Sequence, residues 1–366
     1  MGFRCGIVGL PNVGKSTIFN ALAKARAEAS NYPFCTIDPN KGIVPVPDPR
    51  LDALSAMYRP QKTTPTAIEF YDIAGLVKGA AEGQGLGNQF LGHIKETEAI
   101  LHVVRCFDDP NIIHVSGSVD PVRDIEIIDT ELCLKDLETM TARYDKTEKL
   151  ARSGDKDSKE KMPVYERVKK ALESGMPLRL LGLDEEEKKQ IKDLAFLTLK
   201  PVLYGANVAE SDLPDAAGNP WVAAVKVLAE KQGAGVVVIS GKVEAELVEL
   251  SESEQKEFLE ALGLKESGLN ILIRAGYKLL DLITYFTSGE KESRAWTIRK
   301  GTKAPQAAGV IHSDFERGFI RAETMNCKDL IELGSTAVVK EKGLLRIEGK
   351  EYTVADGDVM LFRFNV

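Results

Sequence analysis

Cysteine is scarce in this chain and follows no pattern. The 366 residues include five cysteines, and no two of them form a C-x-x-C arrangement. A disulfide framework and a cysteine-based zinc site are both disfavoured, because each needs paired or regularly spaced cysteines. The amino terminus also lacks a basic segment followed by a long apolar run, so we find no signal peptide and expect a cytoplasmic protein.

Histidine is scarce as well, and net positive charge and long apolar runs are absent. The four histidines lack metal-ligand spacing, and no stretch approaches the roughly 18 apolar residues of a membrane span. The net charge of −7 argues against a protein that coats nucleic acid over its whole surface, although a local basic patch stays possible. Length and an ordinary composition predict a globular protein of about two or three domains, without a membrane partner.

A short segment near the amino terminus carries the clearest functional signal. Residues 9–16 read G-L-P-N-V-G-K-S, which fits the phosphate-loop pattern G-x-x-x-x-G-K-[ST]. An apolar run at 5–8 precedes it and a helical pattern follows it, which is the setting that such a loop needs. Lys15 is expected to reach the β- and γ-phosphates, and Ser16 to bind Mg²⁺. The residues predicted to hold the phosphates are Asn12, Val13, Gly14, Lys15, Ser16 and Thr17.

A second motif, D-x-x-G, follows an alternating run at 66–71. Its Asp72 is expected to hold Mg²⁺ through water, and the amide of Gly75 to touch the γ-phosphate. The loop between the two motifs contains Thr36, whose hydroxyl is predicted to close over Mg²⁺; a surface turn is the alternative. The glycine-rich run at 83–88 is interpreted as a nucleotide-sensing switch rather than as mere flexibility. The predicted switch glycines are Gly75, Gly83, Gly85 and Gly87.

The predicted base-binding loop departs from the usual guanine code. GTPases carry N-K-x-D after the corresponding strand, whereas this chain reads Asn207-Val208-Ala209-Glu210. Glutamate is one methylene longer than aspartate, and adenine offers neither the N1–H nor the 2-amino group that such a carboxylate binds. Lost paired hydrogen bonds weaken discrimination strongly, so ATP is favoured and a conventional GTPase is the alternative. Ser240 and Gly241, after the next buried strand, are expected to add contacts to the base.

The order of these motifs resembles the YchF branch of the Obg family, the Obg-like ATPases. The segments G-L-P-N-V-G-K-S, Y-P-F-C-T, D-I-A-G-L-V, G-Q-G-L-G-N and N-V-A-E carry the resemblance, which extends over the whole chain. It implies an α/β P-loop NTPase with a Ras-like G-domain fold, a preference for ATP, and association with ribosomes, with the large subunit and its RNA as expected partners. A monomer is expected, and related hydrolases suggest a K⁺ ion near Asn12.

The position that orients the attacking water in Ras-like GTPases carries no glutamine here. Leu76 occupies it and cannot hydrogen-bond a water. Among the candidates Gln84, His93 and His114, we favour His114, in a loop after an apolar strand, against the alternative of a structural histidine. Because Leu76 predicts slow turnover, a nucleotide-gated binding module with incidental hydrolysis also stays open.

The remaining sequence predicts three units. Residues 1–129 and 197–280 form the nucleotide-binding domain, residues 130–196 an inserted helical hairpin, and residues 281–366 a β-rich unit that resembles a TGS domain of the β-grasp type. Residues 143–170 contain ten Lys/Arg and six Asp/Glu. This net positive charge favours contact with RNA as much as a solvated helix face. The strands predicted for the last unit are 295–298, 317–323, 337–339, 344–347, 352–354 and 359–364, with one helix.

Overall fold

The computed structural model describes residues 3–28, 41–72 and 94–365, excepting the side chains of 25–28. Its strands are β1 (Phe3–Val8), β2 (Lys41–Pro45), β3 (Lys62–Thr64), β4 (Ala67–Asp72), β5 (Ala99–Arg105), β6 (Val202–Asn207), β7 (Gly235–Ile239), β8 (Leu282–Ser288), β9 (Glu292–Arg299), β10 (Phe319–Asn326), β11 (Arg346–Glu348) and β12 (Asp358–Phe364).

Its α-helices are α1 (Lys15–Glu28), α2 (Pro49–Tyr58), α3 (Pro121–Arg152), α4 (Lys156–Glu173), α5 (Glu185–Ile191), α6 (Pro220–Gln232), α7 (Gly241–Leu247), α8 (Glu252–Ala261), α9 (Gly268–Leu279), α10 (Ala304–Ile311), α11 (Ser313–Arg317), α12 (Cys327–Leu333) and α13 (Thr336–Glu341). Short 3-10 turns span Leu178–Leu180, Lys192–Leu194 and Glu210–Asp212.

The first sheet positions the predicted nucleotide site. Its strand order in the described residues is β2-β4-β1-β5-β6-β7, and β2 alone runs antiparallel to its neighbour. Strand β5 is buried along its whole length, as expected for a parallel strand covered on both faces. Because the parallel strands end at one edge, the loops after β1, β5, β6 and β7 meet there beside the end of β4, where ligands of α/β folds bind.

Helices α3 and α4 form the predicted antiparallel pair. Helix α3 begins at Pro121, earlier than the predicted insertion, and buries Ile125 and Ile128 in the core of the first sheet. Further along, Met140 packs with Tyr165 and Val168 of α4 in a separate core. Helix α3 is capped at its carboxyl end by Ser153, and the Asp155 side chain caps α4 by accepting a hydrogen bond from the Ser158 amide at 2.9 Å.

The second sheet has the described strand order β11-β10-β12-β8-β9-β3. Its last strand, β3, comes from between β2 and β4 of the first sheet and pairs in parallel with β9. Helix α2, which precedes β3, buries Leu51 and Leu54 against Phe286 of β8. The predicted division at residue 281 is therefore incomplete, because residues 49–64 pack with the carboxy-terminal unit.

Two strands predicted for this unit are wrong. Residues 337–339 lie in helix α13, where Val339 is buried beside Leu330 of α12. Residues 352–354 form no strand, apart from an isolated bridge between Thr353 and Lys303. Apolar residues in these short runs fit a helix as well as a strand, so their alternation alone does not decide between the two. The described part of the unit also contains four helices, α10 to α13, rather than one.

Candidate nucleotide-binding site

The loop between β1 and α1 has backbone conformations that its asparagine and glycine residues permit. Asn12 and Gly14 both have positive φ angles, 62° and 91°, which asparagine tolerates and glycine favours. A side chain at Gly14 would also collide with Asn207, because a Cβ there would lie 2.1 Å from its Nδ2. The loop leads into the first turn of α1, whose amides have no partner within the helix and are therefore free to bind anions.

Lys15 and Asp72 join the loop to the end of β4. The Lys15 ammonium is largely buried and forms an ion pair with the Asp72 carboxylate. Ser16 and Thr17 are exposed on the first turn of α1. The Ser16 hydroxyl and the Asp72 carboxylate supply oxygens suited to Mg²⁺. The described residues hold no group of three or more His, Cys, Asp or Glu that could bind a metal by themselves.

Asn207 at the end of β6 ties the phosphate loop to the predicted base loop. Its buried Nδ2 donates to the Val13 carbonyl at 2.8 Å, and its Oδ1 accepts from the Gly241 amide at 2.9 Å. Two loops far apart in sequence are thus held by one buried amide side chain. This gives Asn207 a structural role that is independent of any contact with a base.

After Asn207, the base loop continues with Val208 and Glu210, which contact residues at and just after the end of β7. Val208 is buried, and its amide donates to the Ile239 carbonyl at 2.9 Å. Glu210 is partly exposed and pairs with Lys242, with 3.1 Å between Oε2 and Nζ. Hydrogen bonding to Glu210 raises the pKa of Lys242. Ser240 is buried, and its Oγ has no hydrogen-bond partner among the described residues.

These elements enclose a cleft of about 1230 Å³, ample for a nucleoside triphosphate. The described residues that line it include Asn12, Gly14, Thr17, Phe107, Asp108, Asp109, Ile112, Asn207, Val208, Glu210, Ser240, Gly241, Lys242, Glu246, Glu249, Leu250 and Phe258. The sequence places Lys242 in the base-contact run Ser240-Gly241-Lys242 as a source of backbone contacts, but it did not predict that the Lys242 side chain pairs with Glu210. Sequence reasoning also missed the apolar walls Phe107 and Phe258, and nothing in the sequence indicated Phe258 of α8.

His114 does not line this cleft. Its ring is buried, with Nε2 at 2.9 Å from the Asp124 carboxylate and Nδ1 accepting from the Ser116 amide at 3.1 Å. Both nitrogens are occupied, so in this conformation neither can orient a water. The loop nevertheless reaches the phosphate loop through its neighbour Ile113, whose carbonyl accepts from Asn12 Nδ2 at 3.1 Å.

Several predicted site residues lie outside the described ranges. These are Thr36, Gly75, Gly83, Gly85 and Gly87, together with Leu76 and the other two candidates for water orientation, Gln84 and His93. The described phosphate-loop, Asp72 and base-loop residues, in contrast, come together at one edge of the first sheet. Among the described helices, none is both long and apolar enough to cross a membrane.

The first sheet is mostly parallel, and its G-x-x-x-x-G-K-S loop joins the central strand β1 to helix α1. An aspartate ends the neighbouring strand β4. These features define a P-loop nucleoside-triphosphate-binding protein. Comparison with known families narrows this class. Residues 4–142 match the model of a 50S ribosome-binding GTPase. Residues 282–365 match the YchF-GTPase_C family, described as a protein of unknown function.

Similarity to curated proteins covers the full chain. The "Ribosome-binding ATPase YchF" of Escherichia coli O157:H7 is 58% identical and that of Bacillus subtilis 56%, each over 100% of both chains. The structure titled as the Schizosaccharomyces pombe YchF GTPase superposes with a TM-score of 0.89 at 41% identity, covering 99% of this chain and 98% of that one. The chain belongs to the YchF family.

Proposed function

We propose that this protein binds ATP in the cleft at the edge of the first sheet and hydrolyses it as a slow switch that acts on the ribosome. The observation that carries the proposal is the Asn207 side chain, which joins a phosphate loop to a base loop lacking the lysine and aspartate of the guanine code. The bacterial relatives are named ribosome-binding ATPases, which supports both halves of the proposal.

The residues take the following roles. The amides of residues 12–17 and the Lys15 ammonium hold the phosphates, so Lys15 must exchange Asp72 for the nucleotide. Ser16 and Thr36 would be direct ligands of Mg²⁺, and Asp72 would hold it through water. The ion, when bound, would supply positive charge that neutralises the phosphates. Gly75, Gly83, Gly85 and Gly87 belong to the segment that responds to the γ-phosphate.

At the other end of the cleft, the walls of the base pocket are Asn207, Val208, Glu210, Ser240 and Gly241. Val208 is buried and cannot contribute the charge of the usual lysine. We further propose that the protein is a cytoplasmic monomer, that its ribosomal partner is the large subunit and its RNA, and that a K⁺ ion near Asn12 assists hydrolysis.

The first test is competition of ATP and GTP for a fluorescent nucleotide with Mg²⁺, on the wild type and on Val208→Lys/Glu210→Asp. ATP should compete better in the wild type, and the double variant should shift the preference toward GTP. A wild type that prefers GTP would identify a GTPase instead. The Lys15→Met variant should bind either nucleotide at least about tenfold more weakly, because it loses a charge-assisted phosphate contact.

The ribosomal half of the proposal needs its own measurement. Purified large subunits should co-sediment with the ATP-bound protein and raise its rate of ATP hydrolysis. Binding to the small subunit alone would contradict the proposed partner. Binding without any stimulation of hydrolysis would favour a nucleotide-gated binding module over a ribosome-activated ATPase.

A further inference from the structure

At the base end of the cleft, some polar groups already form hydrogen bonds within the protein, and others remain available to a ligand. Asn207 is occupied by Val13 and Gly241, and the Val208 amide by Ile239. These contacts fix the shape of the pocket. Two charged residues of the lining are Glu210, within this loop, and Lys242, two residues beyond Ser240.

Glu210 and Lys242 are bound to each other across the mouth of the pocket. The pair joins the 3-10 turn after β6 to the first turn of α7, with 3.1 Å between charged atoms. Both side chains are partly solvated, with 38% and 70% of their surface exposed. The Ser240 hydroxyl, in contrast, is buried in the same lining without an acceptor among the described residues. The carboxylate is therefore engaged at the rim rather than by the hydroxyl inside.

This arrangement matters for the choice of base. Guanine presents N1–H and the 2-amino group side by side, and a free carboxylate can accept from both. Adenine has an acceptor at N1 and no 2-amino group, so the same carboxylate gains little from it. A carboxylate held by an ammonium has already used part of its acceptor capacity and its position is fixed by its partner.

We propose that Lys242 is a base-selectivity residue, which holds Glu210 at the rim of the pocket and so lowers the affinity for guanine nucleotides relative to adenine nucleotides. This inference rests on the proposed nucleotide site. It assigns the discrimination to the pair rather than to the length of Glu210 alone, because a flexible glutamate without its lysine can turn toward the base.

The test uses Lys242→Met, which keeps the length of the side chain and removes its charge. Affinities for ATP and GTP are measured by competition with Mg²⁺ on the full chain. The ratio of GTP to ATP affinity should rise about tenfold, a value within the range for one bidentate contact to a base. ATP affinity itself should stay within about twofold, because adenine does not depend on the released carboxylate.

Two further variants make the result specific. Adding Glu210→Gln to Lys242→Met should abolish the gain, because the group that contacts guanine is then gone. Lys24→Met removes a different exposed lysine, which pairs with Glu249 on the lining of the same cleft. It changes the charge of the cleft region equally and should leave the ratio unchanged.

An unchanged ratio in Lys242→Met, with ATP still bound, would overturn the inference. So would a gain that persists without the Glu210 carboxylate, or an equal gain in Lys24→Met, since either points to a general charge effect. A wild type that binds neither nucleotide would reject the proposed site itself, and the selectivity role with it.

Discussion

At the scale of single residues, Glu244 is a buried carboxyl group that connects two helices. It lies in α7, and its Oε1 accepts from the Gly268 amide at 2.8 Å at the start of α9. Its Oε2 has no hydrogen-bond partner among the described residues. Burial raises the pKa of Glu244 to about 7, while the amides of Gly268 and Leu269 act in the opposite direction.

The protonated form of Glu244 should therefore stabilise the fold at low pH. Because the folded-state pKa is raised, the native state binds the proton more tightly, and this stability is lost as pH rises from about 4.5 toward 7. The difference is on the order of 3 kcal/mol. Glu244→Gln should be more stable than the wild type at pH 8, and this advantage should shrink at pH 5.5. Urea unfolding of both proteins at the two pH values measures it, and an equal difference at both would contradict the prediction.

The position of His114 leads to a prediction about the rate of ATP hydrolysis. If its loop rearranges when nucleotide binds, so that the ring leaves Asp124, one nitrogen becomes available to the attacking water. His114→Ala should then lower ATP hydrolysis about a hundredfold with little change in ATP affinity, because the side chain does not line the cleft. Stopped-flow binding and phosphate release separate the two quantities. The exposed His312 supplies the control substitution, and unchanged turnover in His114→Ala would assign that histidine to structure alone.

At the scale of elements, Asp136 anchors the helical arm, which is the pair formed by α3 and α4. This buried side chain of α3 accepts from the amides of Leu197 and Thr198 at 2.9 and 2.7 Å and from the Thr198 hydroxyl at 2.6 Å. Burial raises its pKa, and the bonds from Thr198 oppose that shift. One carboxylate thus fixes the segment that returns from the arm to β6.

Asp136→Ala should destabilise the protein by about 3 kcal/mol, because it leaves two buried amides without an acceptor. Chemical denaturation of the full chain measures the loss. Asp145→Ala, at an exposed position of the same helix, should change stability by less than about 0.5 kcal/mol. Equal effects of the two substitutions would show that Asp136 does not anchor the arm.

At the scale of the whole molecule, residues 46–66 link the two sheets. The chain leaves β2, forms α2 and β3 on the second sheet, and returns to β4, which ends at Asp72. Arg50 of α2 holds this segment against the carboxy-terminal unit. It pairs with Asp48 at 2.8 Å and Asp356 at 2.7 Å, and its guanidinium lies 5.2 Å from the ring centre of Phe286.

Removing Arg50 should loosen the second sheet selectively. Arg50→Ala is expected to cost about 2 kcal/mol, from the lost ion pairs and the cation–π contact. Amide hydrogen exchange should become faster in β8 and β12 and stay unchanged in β1 and β5. Arg317→Ala, which breaks an exposed pair with Asp314, should have almost no effect. Faster exchange in both sheets would mean that they unfold as one unit.

The short-range motifs were sufficient to predict the class of fold and the family. A phosphate loop needs particular residues at fixed spacing, because glycine and asparagine must reach positive φ angles and a lysine must follow at the helix start. The helical pair was predictable for a similar reason, since its buried positions recur with the period of a helix, as Met140, Tyr165 and Val168 show.

The amino-acid sequence alone thus determined the phosphate loop, the strand before it and the helix after it. It also determined the apolar positions through which α3 and α4 pack together. All of these features depend on neighbours within a few turns of the chain. Only the tertiary structure decided that β3 joins the distant strand β9, that Asn207 binds two loops at once, and that Glu210 meets Lys242. Those contacts join residues far apart in the chain, and no local periodicity or propensity encodes which partner a side chain will find.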